Sequence, residues 1–158
     1  MLKTDEWVCD ACGEPIKKPA DGWVEWVEVE DPESGRFVGR DLRLVHHLPA
    51  SPRGPYRGCQ FDKRKENARN GGSLSGFALP DFLGPDGLMR LLLMAHDGAV
   101  PLEQIIEMVK RLHIPGYERA RPFFRDAIRD GVFERNMPEG FYWQVDIQAT
   151  LKYADGRE

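Results

Sequence analysis

Trp7-Val8-Cys9-Asp10-Ala11-Cys12-Gly13 is the stretch that decides how the first half of this chain folds. It puts two thiols on one tight turn, whose backbone N–H groups can point at the sulfurs, and Gly13 tolerates the positive φ that such a knuckle requires. Two thiolates on a turn are half of a tetrahedral zinc site, and the other half must come from a distant segment. The candidates are Cys59, the remaining thiol, and one of the adjacent pair His46 and His47. Three thiolates and one imidazole would make a closed set, the pattern of a structural rather than a catalytic Zn2+ site. Strand alternation places Leu42, Leu44 and His46 on one face and Arg43 and His47 on the other, which slightly favours His46 as the ligand.

The surroundings of the knuckle read as β-structure. Trp23-Val24-Glu25-Trp26-Val27-Glu28-Val29-Glu30 is rich in aromatic and β-branched residues, and Asp31-Pro32-Glu33-Ser34-Gly35 is turn chemistry. Phe37-Val38 and Leu42-Arg43-Leu44-Val45-His46 add further strand. Glu25, Glu28 and Glu30 are expected on an open, wet face. A β-module of about 60 residues buries little surface, so a metal staple has a clear task there.

Bulk properties narrow the function. The chain has 158 residues, 41% hydrophobic and 30% charged, as in a soluble globular protein. No apolar run approaches the ~20 residues that span a bilayer, so no membrane partner is expected. The polar start Met1-Leu2-Lys3-Thr4-Asp5-Glu6 lacks a signal-peptide pattern, which makes the cytoplasm the expected location. Three cysteines, an odd number, fit metal ligation better than a disulfide framework. The net charge of −4 supplies no global field for nucleic acid. Locally, however, Arg53, Arg57, Lys63, Arg64, Lys65 and Arg69 face only Asp62 and Glu66, so this stretch is either a solvated loop or a phosphate-contacting patch.

Residues 67–85 carry Gly71, Gly72 and Gly76 and read as a Gly-rich linker that ends docked through Phe77, Leu79, Phe82 and Leu83. Beyond it, three helices are expected. The first, about Leu88 to His96, is apolar nearly all round and should be buried, and Gly98 stops it. The second starts with Pro101 at its first position and buries Leu102, Ile105, Ile106, Val109 and Leu112, with Glu103, Glu107, Lys110 and Arg111 outside. The third, about Arg119 to Asp130, lines up Arg121, Arg125 and Arg129 at four-residue spacing. Val132–Arg135 and Phe141–Val145, flanking Asn136-Met137-Pro138-Glu139-Gly140, then suggest a β-hairpin, with Tyr153 to Glu158 frayed.

The Cys9–Gly13 knuckle and its strands resemble zinc ribbons over roughly residues 5–65, with a histidine and Cys59 in place of a second Cys-x-x-Cys. Three helices and a hairpin over residues 86–146 resemble a winged helix-turn-helix in element order, which implies a recognition helix bearing Arg121, Arg125 and Arg129. Leu44-Val45-His46-His47-Leu48-Pro49 is also similar to the first motif of HNH endonucleases, but no histidine follows Asn67 closely enough to complete that centre. The expected architecture is therefore α+β: a zinc-ribbon-like β-module at 1–66, a linker at 67–85 and a winged-helix-like module at 86–158. The expected function is a non-catalytic regulatory or interaction protein that contacts a protein partner, nucleic acid or both. The rivals are a protein-only adaptor and an HNH-like metal-dependent nuclease. From Gly71 onward the chain has 10 basic and 13 acidic residues, which weighs against a dedicated DNA reader. Sequence leaves the oligomeric state open.

Overall fold

A computed structural model describes residues 1–54 and 58–157, with side chains of 68–70 excluded. The expected candidate Arg57, and the side chain of Arg69, lie outside the described residues. The chain is an α+β protein. Strands β1 (Trp7–Val8) and β2 (Pro15–Ile16) pair antiparallel around the knuckle, with Trp7 opposite Ile16. Strand β3 (Gly22–Glu30) is the centre of a second antiparallel sheet, flanked by β4 (Phe37–His46) and β5 (Ser73–Ala78).

The turn between β3 and β4 follows its sequence. The Asp31 carboxylate accepts from Ser34 Oγ at 2.6 Å and from Glu33 N at 3.2 Å, and Gly35 takes φ +69°. Helix α1 (Lys63–Asn70) starts at Asp62, whose carboxylate accepts from the N–H groups of Arg64 and Lys65, and stops at Gly71 in the left-handed region.

The stretch 67–85 is not a linker. Its middle is β5, paired with β3 from Trp23 opposite Ala78 to Glu28 opposite Ser73. Glycine here serves close approach rather than flexibility: a Cβ on Gly76 would fall 2.7 Å from Trp23 Nε1 and 2.8 Å from the Val24 carbonyl. The next turn of 3-10 helix, Leu79–Phe82, buries Leu79 and Phe82 completely.

Helix α2 (Gly84–Asp97) ends at Gly98 as expected, but it lies on the surface. Leu91 and Met94 are buried, whereas Met89, Leu92 and Leu93 are 64%, 50% and 57% exposed. Helix α3 (Leu102–His113) begins just after Pro101 and buries Ile105 and Met108. Leu102, expected inside, is exposed, and Arg111, expected outside, is buried. Gly39 of β4 meets this layer so closely that a Cβ would overlap the Ala99 carbonyl.

The expected third helix is broken. Helix α4 (Tyr117–Ala120) passes through a 3-10 turn at Arg121–Phe123 into α5 (Phe124–Arg129). Pro122 lacks the N–H that a continuous helix would use. The hairpin expected across 132–145 does not form, and no strand follows Ala78 among the described residues. Helix α6 (Gln144–Asp155) takes up its second arm, burying Ile147, Thr150, Leu151 and Ala154 along one helical face. No hairpin stands where the expected wing would lie, over residues 132–145, and Tyr153 belongs to a helix rather than a frayed end.

Two cores result. The larger runs from Trp7, Cys9 and Val24 through Leu79, Phe82 and Leu91 to Ile105 and Met108, so β-sheet, α2 and α3 share one interior. The smaller gathers Tyr117, Ala120, Phe124, Ile147 and Leu151. No helix is long and apolar enough to cross a membrane.

Candidate metal centre

The knuckle is shaped by its own backbone. Cys9 N donates to the Glu14 carbonyl at 3.0 Å and Gly13 N to the Cys9 carbonyl at 2.9 Å, with Gly13 at φ +77°. Asp10 then fastens the turn to β4: its N–H donates to the Leu44 carbonyl, and its carboxylate accepts from Leu44 N, each at 2.8 Å. His46 lies two residues beyond Leu44 and is buried, so the same clasp delivers it to the thiols.

Cys59 arrives on a separate strap. Buried Glu25 accepts from Phe61 N at 2.8 Å and from Arg43 Nε at 2.8 Å, while Arg43 Nη2 donates to the Cys59 carbonyl at 2.8 Å. Arg43 also stacks over the Phe61 ring at 3.5 Å. Glu25, expected on an open face, is 2% exposed, because β3 shifts register between Glu25 and Val27 and turns this carboxylate toward the strap. Burial pushes its carboxyl above the usual range, against the pull of the Arg43 charge.

Cys9, Cys12, His46 and Cys59 converge, with ligand atoms all within 4.8 Å of one another. The cluster could hold a metal ion. Ligands 2.0–2.3 Å from a tetrahedral ion stand roughly 3.5–3.8 Å apart. His46 Nδ1 lies 3.5 Å from Cys12 Sγ and 3.8 Å from Cys59 Sγ, which fits. The imidazole is also oriented for the task. His46 Nε2 is 3.0 Å from the Pro15 carbonyl, which can only accept, so Nε2 carries the proton and Nδ1 faces the sulfurs. Ser51 Oγ lies 3.2 Å from Cys59 Sγ. The three thiols form no disulfide.

The two knuckle thiols differ. Burial raises the Cys9 thiol, but the N–H groups of Cys12, His46 and Ala11 outweigh it and bring the thiol down to about 7. Burial, together with the neighbouring Cys9 and Cys59 sulfurs, pushes Cys12 up to about 11. A dication among these sulfurs favours the deprotonated form of all three. His47 does not join them. Its ring stacks on Trp23 at 5.3 Å between centroids, and its N–H donates to the Asp21 carbonyl.

Arg111 is the structural residue that the sequence pattern hid. It is 5% exposed and reaches from α3 to the knuckle. Nη1 contacts the Asp10 carboxylate at 2.7 Å, Nη2 donates to the Val8 carbonyl at 2.9 Å, and Nε donates to Glu118 at 2.9 Å. Glu118 in turn accepts from Val8 N at 3.0 Å. The only sequence hint was that Arg111 follows Met108 by three positions, on the same helical face.

The basic candidates are dispersed. Arg53 donates to the Ala11 carbonyl at 2.6 Å and so braces the knuckle. Lys63, Arg64 and Lys65 are exposed on α1. Of the arginine row, Arg129 is paired with Asp126 at 2.8 Å and with Asp130 at 3.1 Å. Arg121 lies 3.4 Å from Glu118, and Arg125 has no ion pair among the described residues. Comparison with family models, with curated proteins and with solved structures finds no match.

Proposed function

We propose that this chain binds one Zn2+ through Cys9, Cys12, His46 Nδ1 and Cys59, and that the ion is structural. The carrying observation is the orientation of His46: Nε2 is committed to the Pro15 carbonyl, which leaves Nδ1 to complete a set of three thiols. Four protein ligands leave no open position for substrate, so the ion would hold the knuckle, β4 and the Cys59 strap together rather than perform chemistry. The knuckle on a two-stranded hairpin beside a three-stranded sheet supports the likeness to zinc ribbons. Elemental analysis of protein purified without chelator tests this directly: about one equivalent of zinc is expected, and less than half an equivalent argues against it.

Around that staple we read a non-catalytic intracellular interaction module. The exposed Met89, Leu92 and Leu93 on α2 support a protein contact. Nucleic-acid contact has weaker support, because Arg53 and Arg129 are occupied by internal partners. A gel shift at low salt separates these readings: a protein-only adaptor gives none, whereas recognition through Arg121 and Arg125 gives one that fades with salt. The HNH-like nuclease remains the rival enzyme reading. It needs a histidine free to take a proton from water, and our reading commits His46 to the metal. Nicking of plasmid with Mg2+ or Mn2+ by the purified chain would favour the rival.

A further inference from the structure

A recess that includes none of the proposed metal ligands lies among α4, α5 and the loop 135–142. It encloses about 470 Å3 and is lined by Arg121, Arg125 and Arg135 over Phe124, Ile128 and Tyr142. That volume suits a small ligand.

The three guanidiniums are held less tightly than those of the buried clamps. Arg43, Arg111 and Arg129 each sit 2.7–2.8 Å from a carboxylate. In the recess the closest ion pairs are 3.4 Å for Arg121 and 4.0 Å for Arg135, with none for Arg125, and none of the three side chains makes a hydrogen bond among the described residues. Nearby acidic groups are engaged elsewhere. Glu118 is held by Arg111 at 2.9 Å, and Glu107 by Lys110 at 2.8 Å and by the Tyr117 hydroxyl at 3.0 Å. Asp126, on the recess wall, is held by Arg129 at 2.8 Å and by Arg157 at 3.5 Å. Glu139 stands at the rim with 72% of its side chain exposed. Arg125 is therefore left without a carboxylate among the described residues, and Arg121 and Arg135 meet theirs only at 3.4 Å or more.

The floor is apolar and firm. Phe124 and Tyr142 stack at 3.9 Å between centroids, and Phe133 meets Tyr142 edge-on at 5.9 Å. The backbone stays right-handed helical from Ala120 through Phe124, so Arg121 and Arg125, four residues apart, project from one side. Arg135 comes from the loop.

We propose that this recess binds a small phosphate monoester, with the phosphate on Arg121, Arg125 and Arg135 and the organic body against Phe124, Ile128 and Tyr142. A dianion with three acceptor oxygens matches several planar guanidinium donors. The flat aromatic floor favours a planar body. No residue is shared with the proposed metal ligands, so failure of this site and failure of the zinc reading are distinguishable.

Calorimetric titration of the metal-loaded full chain with phenyl phosphate and with adenosine 5′-monophosphate tests this. Saturable binding of at least one is expected, and it should weaken as salt rises. Arg125→Ala and Arg135→Ala should each weaken it roughly 10-fold or more, the loss expected for a charge-assisted contact. Arg36→Ala, in the exposed turn between β3 and β4, should leave it unchanged. Because Arg125 is exposed, its variant is expected to fold, and circular dichroism verifies this. Four outcomes overturn the proposal: no saturable binding of either phosphate, adenosine binding as tightly as its monophosphate, equal losses from Arg36→Ala and Arg125→Ala, or binding of a single-stranded oligonucleotide but of neither monoester.

Discussion

The two cores of this molecule are held by different physics. The larger one surrounds a polar centre of three thiols, an imidazole and three largely buried ion pairs, Glu25–Arg43, Arg111–Asp10 and Arg111–Glu118. The smaller one is a stack of rings and aliphatic side chains, Phe124 on Tyr142 with Ile147 and Leu151 beneath. An apolar cluster tolerates partial loosening because its contacts are many and individually weak. A buried polar centre does not, because each unpaired charge or orphaned donor costs the full loss of solvation. The first core should therefore fail all at once and the second by degrees.

On the zinc reading proposed above, the sharpest way to break that comparison is to remove the metal. Chelation or Cys59→Ser should cost on the order of 10 kcal/mol, the apparent contribution of structural zinc in small modules. Hydrogen exchange should then show protection lost over residues 7–54 and retained longer at 117–154. Uniform loss would mean that the cores are not separable. Acid should act in the same direction. Protons compete with the ion for three thiolates and Nδ1, so zinc retention must fall as pH drops, as a chromogenic chelator would record.

Next in size is Arg111→Met. It strands the Asp10 and Glu118 carboxylates beside an apolar side chain, and about 3–5 kcal/mol of destabilisation is expected from denaturant titration. The double change Arg111→Met with Glu118→Gln should recover part of this loss, because one of the stranded charges is gone. Leu151→Ala, in the apolar core, should cost about 2–4 kcal/mol and leave the zinc content unchanged. The smallest effect belongs to His47→Ala. It removes a ring stack on Trp23 and should cost only about 1 kcal/mol with no loss of metal. Loss of zinc from His47→Ala but not from His46→Ala would reverse the ligand assignment.

These contrasts also explain what could be read in advance. That Cys9, Cys12 and Cys59 would gather with a histidine was legible because thiols are few and Cys-x-x-Cys imposes its own geometry, while alternation along Leu42, Leu44 and His46 only slightly favoured His46 over His47. The α+β class was legible from the change of hydrophobic period. The third sheet strand was not, since Gly72 and Gly76 carry the same letters whether a chain is loose or pressed against a neighbour. Arg111 was assigned outward because an apolar stripe is drawn from apolar residues alone, and only the folded chain supplies Asp10 and Glu118. The hairpin reading of Phe141–Val145 failed because Trp143 caps a helix whose buried face, Ile147, Leu151 and Ala154, appears only further along. Pro122 interrupts the helix between Arg121 and Arg125, yet both line a recess, while Arg129, on the same helix as Arg125, closes ion pairs outside it.

The clamp between Asp10 and Arg111 has a consequence in time. Synthesis delivers all four ligands by residue 59, but the guanidinium that locks the knuckle is 101 residues downstream of Asp10. A nascent chain can therefore capture its ion well before it can secure it. Until α3 has emerged, Asp10 holds only the Leu44 backbone, and the proposed ion should exchange more readily at the newborn site than in the finished protein.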